Sequence, residues 1–243
     1  MSRKETLGFD RKLELAWLDA AAAAAARGDD LATAREQLFA VLDGVVAGNG
    51  PHSGRGKTIT VLSRIWLSPA SSELRKRALG ALDDAASPGE RLAIHWAMCA
   101  ATHPFFVDVV AAVGRLVRMQ GDVSQAQVTR RVAETWGDRS TLHRAVQRVC
   151  RSLIAWGVLQ ETEVRGVYRL APGRRAVRGA SARLLVEAVL VGGRNEAAPL
   201  ADIVRHPALF PFDVQVSAGE LRGAGEFQVE RQGLDVDVVR VGG

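Results

Sequence analysis

Between Arg139 and Arg151 the side chains able to do chemistry fall on one side of a helical repeat. Arg144, Gln147, Arg148 and Arg151 recur at helical spacing, and Arg139, Ser140, Thr141 and His143 stand at the start of the same segment. Guanidinium groups pair with phosphate or with the O6/N7 edge of guanine, and a glutamine amide matches the N6/N7 edge of adenine. Arg130 and Arg131 lie just upstream, and Arg165 and Arg169 just downstream. This set is suited to a polyanion that also carries hydrogen-bonding edges, which is the chemistry of duplex DNA.

The elements that must carry these groups are legible around them. Ser124 and Gln127 have the spacing of a capping box. Val128, Val132 and Trp136 follow at i, i+4 and i+8 as a core-facing stripe. Gly137 and Asp138 break that helix. The next begins near Ser140 and sets Leu142, Val146, Val149, Leu153 and Trp156 opposite the arginines, and Gly157 is placed to end it. Val158-Leu159 and Val167–Leu170 read as strands around an Arg165-Gly166 turn. Helix, turn, basic helix and hairpin are the layout of a winged helix-turn-helix. In that layout the first half of the second helix enters the major groove. Arg139, Ser140, Thr141, His143, Arg144 and Gln147 are then candidates for reading bases. Arg130, Arg148, Arg151, Arg165 and Arg169 are candidates for phosphate, and Arg131 adds to the same DNA-contact set.

Charge supports the same segment. Residues 1–114 hold 13 basic and 13 acidic side chains, residues 115–178 hold 13 and 5, and residues 179–243 hold 6 and 9. The net charge of +5 thus conceals a segment at +8, the localisation that phosphate neutralisation requires. Arginine supplies 28 of the 32 basic residues. Composition bias accounts for arginine over lysine, but not for where the charge sits.

The remainder reads as scaffold. Helices are expected over about 9–27, 30–46, 57–67, 71–82, 90–102 and 105–119, the fifth nearly all apolar and therefore central. Residues 171–180 read as a basic linker and 181–191 as a further helix. Alternating apolar residues at 212–216, 227–229 and 236–238 predict a small antiparallel sheet. The expected fold class is mainly α: an N-terminal helical domain (1–104), a winged helix-turn-helix (105–172) and a small C-terminal α+β domain (179–243).

Other chemistries fit poorly. Gly56-Lys57-Thr58 matches the end of a P-loop, but Pro51 stands where its first glycine belongs and a helical segment precedes the loop. Arg55 and Lys57 of that loop remain available to phosphate. No HxxxH, HExxH or CxxC pair occurs, so no metal site is expected. Asp213, Glu226 and Glu230 lie on or near C-terminal strands, but all four lysines precede residue 77, so a nuclease-type acidic-x-Lys element is missing. Cys99 and Cys150 sit in apolar helical patterns, which fits a reducing compartment. No apolar run is long enough to span a membrane, and charges beside the Ala20–Ala26 run argue against a leader. The expectation is a cytoplasmic, non-enzymatic protein without a cofactor, partnered by double-stranded DNA.

From about residue 57 to 160 the chain resembles the BrxA accessory proteins of BREX phage-defence systems. Lys57–Arg64, the Glu90–Cys99 block with Phe105–Val110, and Ser140–Ile154 leading to Gly157-Val158-Leu159 carry the resemblance. It implies a mainly helical DNA-binding protein acting beside other defence-system proteins. Two further readings remain: a transcriptional regulator whose C-terminal domain senses a ligand or forms a dimer with a second subunit, and a protein–protein adaptor built on a winged helix.

Overall fold

The computed structural model describes residues 7–193, 196–233 and 235–242. The chain begins with α1 (Leu15–Arg27), α2 (Leu31–Val41) and α3 (Gly54–Leu62), which continues as a π-helical turn over Ser63–Leu67. α4 (Ser72–Asp83), α5 (Pro88–Thr102) and α6 (Pro104–Gln120) follow. Then come β1 (Asp122–Ser124), α7 (Gln125–Trp136), α8 (Ser140–Ala155), β2 (Leu159–Glu161) and β3 (Val167–Leu170). The rest comprises β4 (Arg175–Val177), α9 (Gly179–Gly192), β5 (Ala197–Pro199), α10 (Leu200–Val204) and a 3₁₀ turn at Pro207–Leu209. β6 (Phe212–Val214), α11 (Ala218–Gly223), β7 (Phe227–Gln232) and β8 (Val236–Val241) complete it. The fold is mainly helical with small sheets.

The chain groups into two compact units, and neither is continuous in sequence. One contains residues 1–75 and 121–171, the other 76–120 and 172–243. This differs from three consecutive domains divided near 104 and 172. α6, expected to open the helix-turn-helix unit, groups with the second unit. Hydrophobic burial is non-directional, so an apolar helix groups with whatever buries it, not with its chain neighbour.

In the first unit, residues 7–14, expected in part as helix, form an irregular lead-in to α1, and Phe9 and Leu13 are fully buried from it. Asp30 caps α2 through Thr33 N at 2.9 Å, and that bond holds its carboxyl below the ordinary range. The helix stops at Val41, short of the expected residue 46. The Gly-rich loop ends in a helix cap rather than a phosphate cradle: Ser53 Oγ accepts from Gly56 N at 3.1 Å. A β-carbon at Gly56 would meet the Gly50 and Pro51 carbonyls at 2.5 Å, so only glycine fits beneath this cap. Arg55, read as open to phosphate, is instead buried; it donates to the Val46 carbonyl at 3.0 Å and to Asp43 at 2.7 Å.

In the second unit, α5 is buried from Leu92 to Ala100, as its apolar run requires. Trp96 donates its indole N–H to the Ala208 carbonyl at 3.1 Å. Phe106, Phe210 and Phe212 stand edge-on to it at 5.2–6.0 Å, the orientation favoured by ring quadrupoles. α9 crosses α5 closely: a β-carbon on Gly192 would come within 2.4 Å of the Ala100 carbonyl. The basic stretch 171–180 is not wholly a linker, because β4 pairs in parallel with β6, Arg175 opposite Phe212. Phe212–Val214 therefore leaves the expected antiparallel sheet, whose actual order is β5-β8-β7.

Candidate nucleic-acid interface

α7 starts as its sequence requires. Ser124 Oγ accepts from Gln127 N at 3.2 Å, and Gln127 Oε1 accepts from Ser124 N at 2.9 Å. Reciprocal capping of this kind stabilises a helix start by about 1 kcal/mol. The adjoining sheet steadies it further, since Gln125 N donates to the Gly166 carbonyl at 2.8 Å. Val128 and Val132 are buried, whereas Trp136, expected in the core, is only half-buried. It sits on the last turn of α7, where the chain leaves through Gly137 at φ 75°.

α8 has one apolar and one cationic side. Leu142, Val146, Val149 and Leu153 are fully buried, each contributing about 1.5–3 kcal/mol relative to exposure. Two polar contacts lock this inner side in place. Leu13 N donates to Ser152 Oγ at 2.9 Å, and Trp156 Nε1 donates to the Leu13 carbonyl at 2.9 Å. Ser152 is a positioning residue that the sequence reading missed; its one signal is a hydroxyl on an otherwise apolar stripe. Cys150 is enclosed on the same side, where burial pushes its thiol up to about 12, so it is not a nucleophile.

The hairpin follows directly. β2 pairs with β3 in the register Leu159 opposite Leu170, and β1 adds to the other edge of β3 with Asp122 opposite Arg169. The sheet order is β1-β3-β2. Arg165 and Val164 are exposed at the hairpin tip.

The expected contact residues divide by their surroundings. Arg130, Arg131, Ser140, Thr141, His143, Arg144, Arg148, Arg151, Arg165 and Arg169 are exposed, and Gln147 and Arg139 are half-buried. Arg144, Arg148 and Arg151, at i, i+4 and i+7, share a face. Among the described residues, Arg130, Arg144, Arg148, Arg151 and Arg165 have no carboxylate partner. The others are engaged to different degrees. Arg169 forms a two-pronged pair with Asp122 at 2.6 and 2.7 Å, which lowers the Asp122 carboxyl and raises the guanidinium. His143 meets Asp138 at 2.8 Å, and Arg131 lies 3.7 Å from Glu134.

Arg139 and Thr141 face a cleft of about 670 Å³ that also receives Arg35, Lys57 and Arg64. Arg35 and Arg64 lie far from α7 and α8 in sequence, and no local pattern joins them to that segment.

The charge excess of residues 115–178 divides as well. Arg115, Arg118, Arg174, Arg175 and Arg178 fall in the second unit. There Arg118 donates to the Arg205 carbonyl at 2.9 Å, Arg174 to the Phe212 carbonyl at 2.6 Å, and Arg178 to Gln215 at 2.6 Å. Residues 121–171 keep eight basic and five acidic side chains.

The acidic residues weighed for a nuclease are also dispersed. Asp213 lies on β6, Glu226 pairs with Arg183 at 3.0 Å, and Glu230 lies on β7, 3.8 Å from Arg240. Among the described residues no three His, Cys, Asp or Glu side chains are grouped to share a metal ion. No helix among them is long and apolar enough to cross a membrane. Comparison with protein-family models, curated proteins and solved structures finds no match to this chain.

Proposed function

We propose that β1, α7, α8 and the β2–β3 hairpin form a winged helix-turn-helix, and that α8 carries it into the major groove of duplex DNA. The observation that carries this reading is the exposed face of α8, where, among the described residues, Arg144, Arg148 and Arg151 stand without a carboxylate partner. Arginines held at a regular spacing and left unneutralised are suited to a regular array of anions. Arg144 and Gln147, in the first half of α8, read base edges. Arg148, Arg151, Arg130 and Arg165 hold phosphates and fix the register without reading sequence. Ser140 and Thr141 lie at the helix start, where hydroxyls and backbone N–H groups also meet phosphate. Arg169, already paired with Asp122, contributes less. The protein acts by binding rather than by catalysis. The resemblance to BrxA accessory proteins supports a role for this binding beside other components of a cytoplasmic phage-defence system.

The test is binding of the pure protein to a fluorescent random-sequence duplex across a salt series. The logarithm of affinity should fall linearly with the logarithm of salt, with a slope of about −0.9 per phosphate neutralised, or about −4 for four to five arginines. No binding at low salt would overturn the proposal. An adaptor using the same fold without DNA would give that result and would require its protein partner instead.

A further inference from the structure

The cleft beside the start of α8 is cationic on several sides. Lys57, Thr60, Val61 and Arg64 line it at i, i+3, i+4 and i+7 along α3 and into the π-helical turn. Arg35 approaches from α2, and Arg139 from the residue before α8. The carboxylate in the lining is Asp10, which lies 3.7 Å from Arg11. Among the described residues Arg35, Lys57, Arg64 and Arg139 form no ion pair. Arg55, two residues before Lys57, shows the alternative: it is buried and satisfied by Asp43 and Val46. Arg139 is half-buried at the edge of the cleft. Four cations facing one cavity repel each other until an anion enters. The volume lies within the range of about 300–1,000 Å³ typical of ligand sites, which leaves room for a nucleotide-sized group.

We propose that this cleft binds phosphate, and that the phosphate is a backbone group of the duplex just outside the stretch read by α8. The proposal rests on the DNA-binding reading of α8. The backbone is favoured over a free phosphate because Arg139 and Thr141 line the cleft and also lead into Arg144 and Gln147 on α8. A phosphate gripped by α3 and the start of α8 fixes the depth at which the helix enters the groove. The N-terminal helices would thereby form part of the DNA interface and not only support it.

The test uses the full chain and the double variant Lys57→Gln/Arg64→Gln, whose two positions are exposed. Thermal unfolding first verifies that the variant folds. Duplex binding across a salt series is then compared, and binding of inorganic tripolyphosphate is measured by calorimetry. The proposal expects the variant to bind duplex about tenfold or more weakly near 0.1 M salt. Its salt slope should be shallower by about two, with unchanged sequence preference. If the wild type binds duplex and the variant keeps the same slope, the backbone assignment is overturned while the role of α8 stands. In that case, tripolyphosphate binding by the wild type and not the variant would reassign the cleft to free phosphate. Its absence in both would overturn the phosphate site altogether. If the wild type binds no duplex at low salt, the reading of α8 falls and the backbone assignment with it. The tripolyphosphate measurement then decides alone whether the cleft binds phosphate.

Discussion

Arginines in the two units have different fates. In the second unit several are neutralised where they sit. Arg77 meets both oxygens of buried Glu187 at 2.6 Å, Arg183 meets Glu226 at 3.0 Å, and Arg222 meets Asp237 at 2.6 Å. In the first unit, the outer face of α8 carries Arg144, Arg148 and Arg151 with no such partner among the described residues. Both units are rich in the same residue, but α8 gathers unpaired arginines along one helix face. A count of charges along the chain therefore overstates the cationic surface. What matters to a polyanion is charge that the fold has not already paired.

The sharpest separation comes from removing arginines of each kind. Arg144→Ala with Arg148→Ala should weaken duplex binding by about 100-fold or more, from about 1–3 kcal/mol per contact. The melting temperature should barely move, because exposed, unpaired substitutions stay within about ±0.5 kcal/mol. Arg77→Ala should do the reverse. It leaves the Glu187 carboxylate uncompensated in a buried setting and should cost about 2 kcal/mol of stability, discounted for the partial exposure of Arg77. Its duplex affinity should be unchanged. Urea unfolding and anisotropy titrations on both variants would check the pair. Equal loss of affinity in the two would erase the distinction.

Asp122→Asn tests the boundary case. Arg169 is exposed but held by Asp122. Freeing it should steepen the salt slope of duplex binding by about one phosphate. A slope that stays put means Arg169 points away from the DNA.

The smallest effect concerns pH. Burial holds the Glu187 carboxyl above the ordinary glutamate range, against the opposing pull of Arg77. A raised acid favours the folded state only while protonated. Its contribution is complete below the ordinary glutamate value and is lost as pH climbs through the raised one. Wild-type stability should therefore fall across this window relative to Glu187→Gln, whose profile should be flatter. A wild-type profile that rises there relative to the variant would contradict this sign.

Much of the segment from β1 to β3 was legible because its signals are local. The Ser124–Gln127 cap spans three residues, the two sides of α8 follow from helical periodicity, and the hairpin turns at Arg165-Gly166 as expected. Partnerships across long stretches of chain were not legible. Leu13 and Ser152 are 139 residues apart, and Asp122 and Arg169 are 47 apart. β4 lay hidden in a run of arginines because its strand character depends on β6, 37 residues on. The cleft was missed for the same reason. Lys57 and Arg64 join Arg139 only through packing, which no spacing rule encodes. The discontinuous units follow from the same cause, since apolar helices group by burial and not by order.

The most direct test of the claim that unpaired arginines make the interface is a matched comparison of salt slopes. One variant removes two free arginines from α8, Arg144→Ala/Arg148→Ala. The other removes two paired ones from the second unit, Arg183→Ala/Arg222→Ala. Both lower the net charge by the same amount. Fluorescence anisotropy on one random-sequence duplex should show the α8 variant losing about two from its slope. The second variant should match the wild type. Equal losses in both would mean that overall charge drives binding, and the account of α8 would be wrong.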